Sequence, residues 1–225
     1  MSRVDSHAAL MDRIYRNQRY LYDFTRKYYL FGRDKLIEQL HLQPGARIVE
    51  VGCGTARNLV QIAKKYPTAK LYGLDASAKM LATASQSVAQ AGLSGRVKLV
   101  KAYAEDLSPG LFGETEPFDA VIFSYSLSMI SDWKQVVRTS IAALAPEGRL
   151  HIVDFGDFEN LVWPIGPLLR AWLGLFHVRP REDLLKTLEK HLDSHGGLAL
   201  LSGRYAFLLS CGRKDAMASP LWSVA

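Results

Sequence analysis

Four residues in the first third of the chain have the types and spacing to hold a small charged ligand: Glu50, Gly52, Gly54 and Asp75. The two glycines follow the apolar run RIVEV. A turn at the carboxyl end of a buried strand must bring its backbone close to a ligand, and side chains there block the approach. Asp75 closes a second run, KLYGLD, about twenty residues further on, where a carboxylate can accept hydrogen bonds from both hydroxyls of a ribose. Glu50 can accept from a ligand amine or brace the loop. A dinucleotide fingerprint calls for a third glycine where this chain has Arg57, which argues against a pyrophosphate. Carboxylate acceptors without a phosphate cradle suit a cationic nucleoside such as S-adenosylmethionine better than a nicotinamide dinucleotide. The competing reading is that Glu50 and Asp75 are ordinary strand-end acids.

Further residues extend the expected cofactor site. Ala76 follows the ribose acid, and Ala104, Glu105 and Asp106 follow a third strand-like run, where they would reach the adenine edge of a doubly wound sheet. Ser124 ends a fourth run. Met80 can pack on adenine from the second helix, or it can be plain core.

These residues need strands and helices to position them, and the sequence alternates accordingly. RIVEV, KLYGLD, VKLVKA, FDAVIFSY and GRLHIVDF read as strands, and residues 58–66, 77–91 and 133–144 read as helices between them. Such alternation predicts an α/β fold with a largely parallel, Rossmann-like sheet covered by helices on both faces. The turn Pro146–Gly148 is expected to punctuate the last helix and strand. Residues 181–191 read as a helix, and LALLS and YAFLLSCGR as two late strands, seven in all. Gly203 between them predicts a tight reversal and an antiparallel strand at the sheet edge. Residues 8–40 read as one or two amphipathic helices broken at Gly32.

At 225 residues the chain fits one domain, since single cores stop growing beyond roughly 250 to 300 residues. Its expected parts are a helical cap over 1–40, a cofactor-binding core over 41–157, a lid over 158–180, and a closing helix and strands over 181–225. Hydrophobic residues at 48% and charged residues at 22% exclude a disordered or fibrous chain. The net charge is +6, and residues 12–35 carry seven basic residues against three acids, interleaved with tyrosines and phenylalanines. Cys53 and Cys211 show no pairing signal and are expected to be reduced. No apolar centre with a cleavage site marks the first thirty residues, so residence on the cytoplasmic side is expected. His151 lies inside a strand pattern and His177, His191 and His195 lack ligand spacing, so no metal is expected. The segment LVWPIGPLLRAWLGLFHV is strongly apolar but interrupted by prolines, glycines and Arg170. A span needs about 20 uninterrupted apolar residues, so a lid or an interfacial segment is the better expectation.

The motifs VEVGCGT, LYGLDAS, YAEDL, FDAVIFSYSLSMI and GRLHIVDF together resemble the class I S-adenosylmethionine-dependent methyltransferases across residues 46–157. The resemblance implies S-adenosylmethionine as cofactor, with Glu50 as the acid of the first motif, Gly52 and Gly54 facing the cofactor, and Asp75 binding ribose. Tyr103 departs from the acid found at that position in many relatives. The front segment IYRNQRYLYDFTRKYYLFGRDKLI looks like the start of bacterial betaine-lipid methyltransferases. That likeness implies three successive methylations of the homoserine amine of diacylglyceryl-homoserine.

Methyl transfer to an amine needs a neutral lone pair held in line, so positioning can supply much of the acceleration. The product is a permanent cation, which aromatic faces bind. Tyr22 and Tyr28 are therefore expected at the acceptor site, with Tyr125 after the fourth strand; Tyr15 and Tyr29 are the remaining candidates, and helix-to-core packing is the competing role for all. Asp154, at the end of the fifth strand, is expected to orient the amine or take its proton. Arg26, Lys27 and Arg33 can meet the homoserine carboxylate or anionic head groups. A lipid substrate implies an anionic membrane surface as partner, touched by the front helix and by Trp163, Trp172 and Phe176, with the protein peripheral to the inner face of the cell membrane. Rival acceptors are phosphatidylethanolamine and quinones, and a non-enzymatic membrane scaffold is the rival outside enzymology. Nucleic acid is not an expected partner, because SYSL stands where a base-flipping enzyme would carry an N-P-P-Y-like motif. The sequence assigns no oligomeric state.

Overall fold

Each alternating run becomes the element its period dictates. The computed structural model describes residues 30–174, 178, 180, 182–192 and 197–218. The expected front helix up to residue 29, including Tyr15, Tyr22, Arg26, Lys27, Tyr28 and Tyr29, lies outside the described residues, as do Phe176, His177 and His195.

A short helix, α1 (Arg33–Glu38), starts at Gly32 and buries Leu36 and Ile37. Then follow β1 (Arg47–Val51), α2 (Arg57–Lys65), β2 (Lys70–Asp75), α3 (Ala78–Gln90) and β3 (Val97–Lys101). The chain continues with β4 (Phe118–Ser124), α4 (Trp133–Ala142), β5 (Leu144–Phe155), α5 (Ile165–Gly174), α6 (Glu182–Leu192), β6 (Leu198–Leu201), β7 (Ala206–Gly212) and α7 (Arg213–Ala218). Helix starts carry side-chain caps where the sequence allows: Ser77 accepts from Met80 N at the head of α3, and Asp132 from Gln135 N at the head of α4.

The seven strands form one sheet in the order β3-β2-β1-β4-β5-β7-β6. Strands β1 to β5 run parallel, β7 is antiparallel to β5, and β6 is antiparallel to β7. The antiparallel strand is therefore one place in from the edge, and β6 takes the edge position. Pro146–Gly148 lies within β5 rather than before it: the register shifts between Phe118↔Leu144 and Ala120↔Arg149. Proline has no N–H for the ladder, so the extra residues bulge there.

Alternation across the pleat sorts the core into two layers. Ile48, Ile122 and Val153 pack on one face with Leu59 and Ile62 of α2. Val49, Val121 and Ile152 pack on the other with Val136 and Val137 of α4 and Leu184 and Leu188 of α6. Strands buried on both faces read as near-continuous apolar runs, which is why β1 and β4 were legible. The carboxyl ends of β1, β2, β4 and β5 share one edge, the edge at which open α/β sheets take ligands.

A buried ion pair braces that edge. Asp157, fully buried just past β5, receives the Arg204 guanidinium on both oxygens, and Arg204 also pairs with Glu189 at 2.8 Å. Arg204 lies in the turn between β6 and β7, where Ser202, Gly203 and Arg204 all have positive φ. Burial pushes the Asp157 carboxyl up, but Arg204 and the Glu159 N–H outweigh it and hold the group below its usual range.

Asp157→Asn leaves Arg204 without its closest counter-charge and is expected to lower stability by about 3 kcal/mol at neutral pH, read by urea unfolding. A carboxyl with a depressed folded pKa contributes above its unfolded value and loses that contribution as pH falls through the folded one. The difference between the two proteins is therefore expected to fade below about pH 4.

Candidate active site

The loop leaving β1 is held by backbone donors. Gly52 N and Cys53 N both donate to Leu74 O, at 2.9 and 3.0 Å, fastening the loop to the end of β2. Gly52 has φ 72°, and a Cβ on it would stand 2.6 Å from Ser126 Cβ. Ser126 is fixed there by donating to Val51 O at 2.8 Å. Glycine at this position thus serves both the left-handed turn and the close approach of the β4 loop.

Asp75 joins the two loops. One oxygen accepts from Gly54 N at 2.9 Å and the other from Ser77 N at 2.9 Å. Glu50 is buried and accepts from Asn58 Nδ2 at 2.7 Å through Oε1, while Oε2 has no protein partner. Burial, opposed by the Asn58 bond and by Arg33, raises its carboxyl to about 7. Ser124 Oγ and Ser128 Oγ are likewise buried without a protein partner. Three polar atoms at the ends of β1 and β4 therefore have unused hydrogen-bonding capacity, and buried polar atoms left so are costly unless a ligand or water meets them.

This donor set fits S-adenosylmethionine. Glu50 Oε2 is an acceptor for an ammonium group, and Asp75 for ribose hydroxyls. Arg33 and Arg57 set positive charge on Glu50, where a carboxylate belonging to the ligand also needs it. Arg57 is itself steered by Asp34 at 2.8 Å and by Asn58 Oδ1 at 3.3 Å.

The other expected site residues are distributed as follows. Ala76 is half-buried beside Asp75, and Met80 is buried in the first turn of α3. Ala104 is half-buried and Glu105 exposed on a single helical turn after β3. Tyr125 is buried in the left-handed region at φ 57°, and its hydroxyl donates to Phe31 O. Its ring meets Phe155 edge-on at 4.7 Å. Burial, then Tyr205 and Asp154, push its hydroxyl well above the usual range, so it remains protonated. Asp154 is buried and accepts from Ser128 N at 3.0 Å and Phe155 N at 2.8 Å. These bonds give Tyr125 and Asp154 bracing roles: the first ties down the entry to α1, the second holds the loop after β4.

Asn58, Ser126 and Ser128 are the site residues that sequence reasoning missed. Asn58 had a signal, being a polar residue on the face of α2 that otherwise buries Leu59, Ile62 and Ala63.

Comparison with known proteins agrees with the geometry. A family profile described as a methyltransferase domain matches residues 48–148. An uncharacterized methyltransferase of Synechocystis sp. is 30% identical over 183 residues, spanning 75% of this chain and 80% of that protein. A ubiquinone/menaquinone biosynthesis C-methyltransferase of Geotalea daltonii is 27% identical over 140 residues, spanning 60% of this chain and 58% of that protein, less than two thirds of its length. The crystal structure of a SAM-dependent methyltransferase from Aquifex aeolicus shares the fold with a TM-score of 0.58 at 19% identity, covering 90% of this chain and 97% of that one. The chain belongs to the class I S-adenosylmethionine-dependent methyltransferases. Its cofactor is S-adenosylmethionine.

An ammonium group of the ligand binds the ionised form of Glu50. Affinity for S-adenosylhomocysteine is therefore expected to rise about tenfold per pH unit up to pH near 7 and then level off, measured by calorimetry at several pH values. Glu50→Gln should bind more weakly at neutral pH and lose this dependence.

Proposed function

We propose that this protein is a methyltransferase whose acceptor is a lipid-soluble molecule. The observation that carries the reading is the segment leaving the carboxyl end of β5: residues 160–169 contain no charged side chain, and they begin beside the edge that holds the cofactor. When bound, the cofactor supplies a methyl group activated on a sulfonium. The chain's residues hold the cofactor through Glu50, Asp75 and the glycine loop, and Ser126 closes over that loop. Likeness to quinone-pathway C-methyltransferases supports a quinone precursor as the first acceptor to test.

A second acceptor, the homoserine amine of diacylglyceryl-homoserine, is favoured by a different observation. Methylating a ring carbon requires a base to take a proton from the acceptor, whereas a neutral amine needs only to be placed. Asp154, the carboxylate at the end of β5, is engaged by two backbone N–H groups, and burial holds His151 neutral with its pKa lowered to about 3. The front segment from Ile14 to Ile37 supports the same acceptor by its resemblance to betaine-lipid enzymes.

Purified protein should transfer label from S-adenosylmethionine to one of these acceptors in mixed micelles, with products resolved by mass. One added methyl on demethylmenaquinone supports the quinone reading, and three successive additions to diacylglyceryl-homoserine the amine reading. Label on neither, with label on a water-soluble acid such as trans-aconitate, overturns the lipid-soluble acceptor.

A further inference from the structure

The outer surface of α5 and of the turn that leads into it is apolar where water would select polar residues. Val162 is 75% exposed, Trp163 82%, Ile165 54% and Leu168 65%. The inner face of the same helix already has its contacts: Gly166 and Leu173 are buried, and Leu169 and Trp172 pack on the core. Trp172, expected at the membrane, is thus turned into the body of the protein. A helix apolar on both faces is a buried helix or one that meets lipid.

The one charge on α5 does not relieve this. Arg170 turns back to the protein, pairing with Glu182, donating to Asp157 O and lying over the Phe158 ring at 5.8 Å. The base of the segment is fixed as well: Phe158 N donates to Arg204 O at 3.1 Å, and Asp157 is locked by Arg204. The apolar side chains therefore project from a braced mount.

Charge selects the partner. In the sequence, residues 160–181 contain no acid and, besides Arg170 with its partner Glu182, carry Arg179 and Arg181, within a chain of net charge +6. Apolar side chains led by a tryptophan and accompanied only by positive charge match the interface of an anionic bilayer. A protein-binding patch would be expected to carry a mixed polar rim. Among the described residues no helix is long and apolar enough to cross a membrane, so the contact is with one leaflet.

We propose that Val162, Trp163, Ile165 and Leu168 form a docking tip that enters the head-group region of an anionic bilayer. Docking there sets the carboxyl edge of the sheet against the surface from which a lipid-soluble acceptor is drawn. The inference rests on the lipid-soluble acceptor proposed above and adds the surface that reaches it.

The test uses the full chain with sedimenting vesicles of phosphatidylglycerol and phosphatidylcholine, beside vesicles of phosphatidylcholine alone. The protein should sediment with the anionic vesicles, and the double variant Trp163→Ser/Leu168→Ser should partition roughly tenfold or more weakly. Both side chains are exposed, so the variant should bind S-adenosylhomocysteine as the unaltered protein does, which separates lost docking from lost folding. Vesicle binding equal in the two proteins, or absent from both, overturns the tip. So does self-association of the unaltered chain that the double variant abolishes without any vesicle binding. If vesicles are not bound while a lipid acceptor in micelles is methylated, the tip is wrong and the acceptor reading stands. If the tip-dependent binding is present and neither lipid acceptor is methylated, the tip stands and the acceptor reading falls.

Discussion

The carboxylate of Asp75 is the joint on which the cofactor end of this protein depends. It takes Gly54 N on one oxygen and Ser77 N on the other, so one side chain fixes both the loop after β1 and the cap of α3. Its position follows from register: β1 and β2 are paired from Arg47↔Lys70 to Val51↔Leu74, which brings the two strand ends out together. A charged acceptor for backbone N–H groups makes stronger hydrogen bonds than a neutral one. The same carboxylate stands half-exposed at the strand end rather than inside the sheet.

Much of this was legible from the chain alone because the signals are local. The strand runs of β1, β2 and β4 and the helical periods of α2, α3 and α4 were placed within one or two residues, since burial on both faces of a parallel strand leaves an unbroken apolar run. What escaped was set by distant partners. Nothing near Tyr205 or Phe207 tells that β7 inserts between β5 and β6. Asp157 and Arg204 lie 47 positions apart, and no local pattern in the sequence links them. Pro146–Gly148 looked like punctuation before a strand, and only pairing with β4 shows a bulge inside one.

The glycines and the two acids can be singled out in the sequence because backbone approach and strand-end position constrain residue type, and the fold brings them to one edge of the sheet. The bracing contact of Tyr125 has no such local signal. Its aromatic ring suggests a binding surface, and its left-handed backbone and its bond to Phe31 O also make it a clasp between the β4 loop and the entry to α1. Phe31 in turn meets the Tyr205 ring edge-on at 5.2 Å, so the start of the described chain is gripped from two strands' ends.

Ala56 gives the glycine loop a further property. It holds φ 60° at the head of α2, although its side chain disfavours that region by roughly 1–2 kcal/mol. Gly52 and Gly54 take positive φ as well, so every second residue from 52 to 56 has the same handedness. Ala56 keeps this shape because its N–H donates to Cys53 O and its carbonyl accepts from Val60 N. A loop fixed this way by the fold has little conformational freedom left to surrender when a ligand arrives. Preorganisation of this kind turns entropy that would oppose capture into a cost already met during folding.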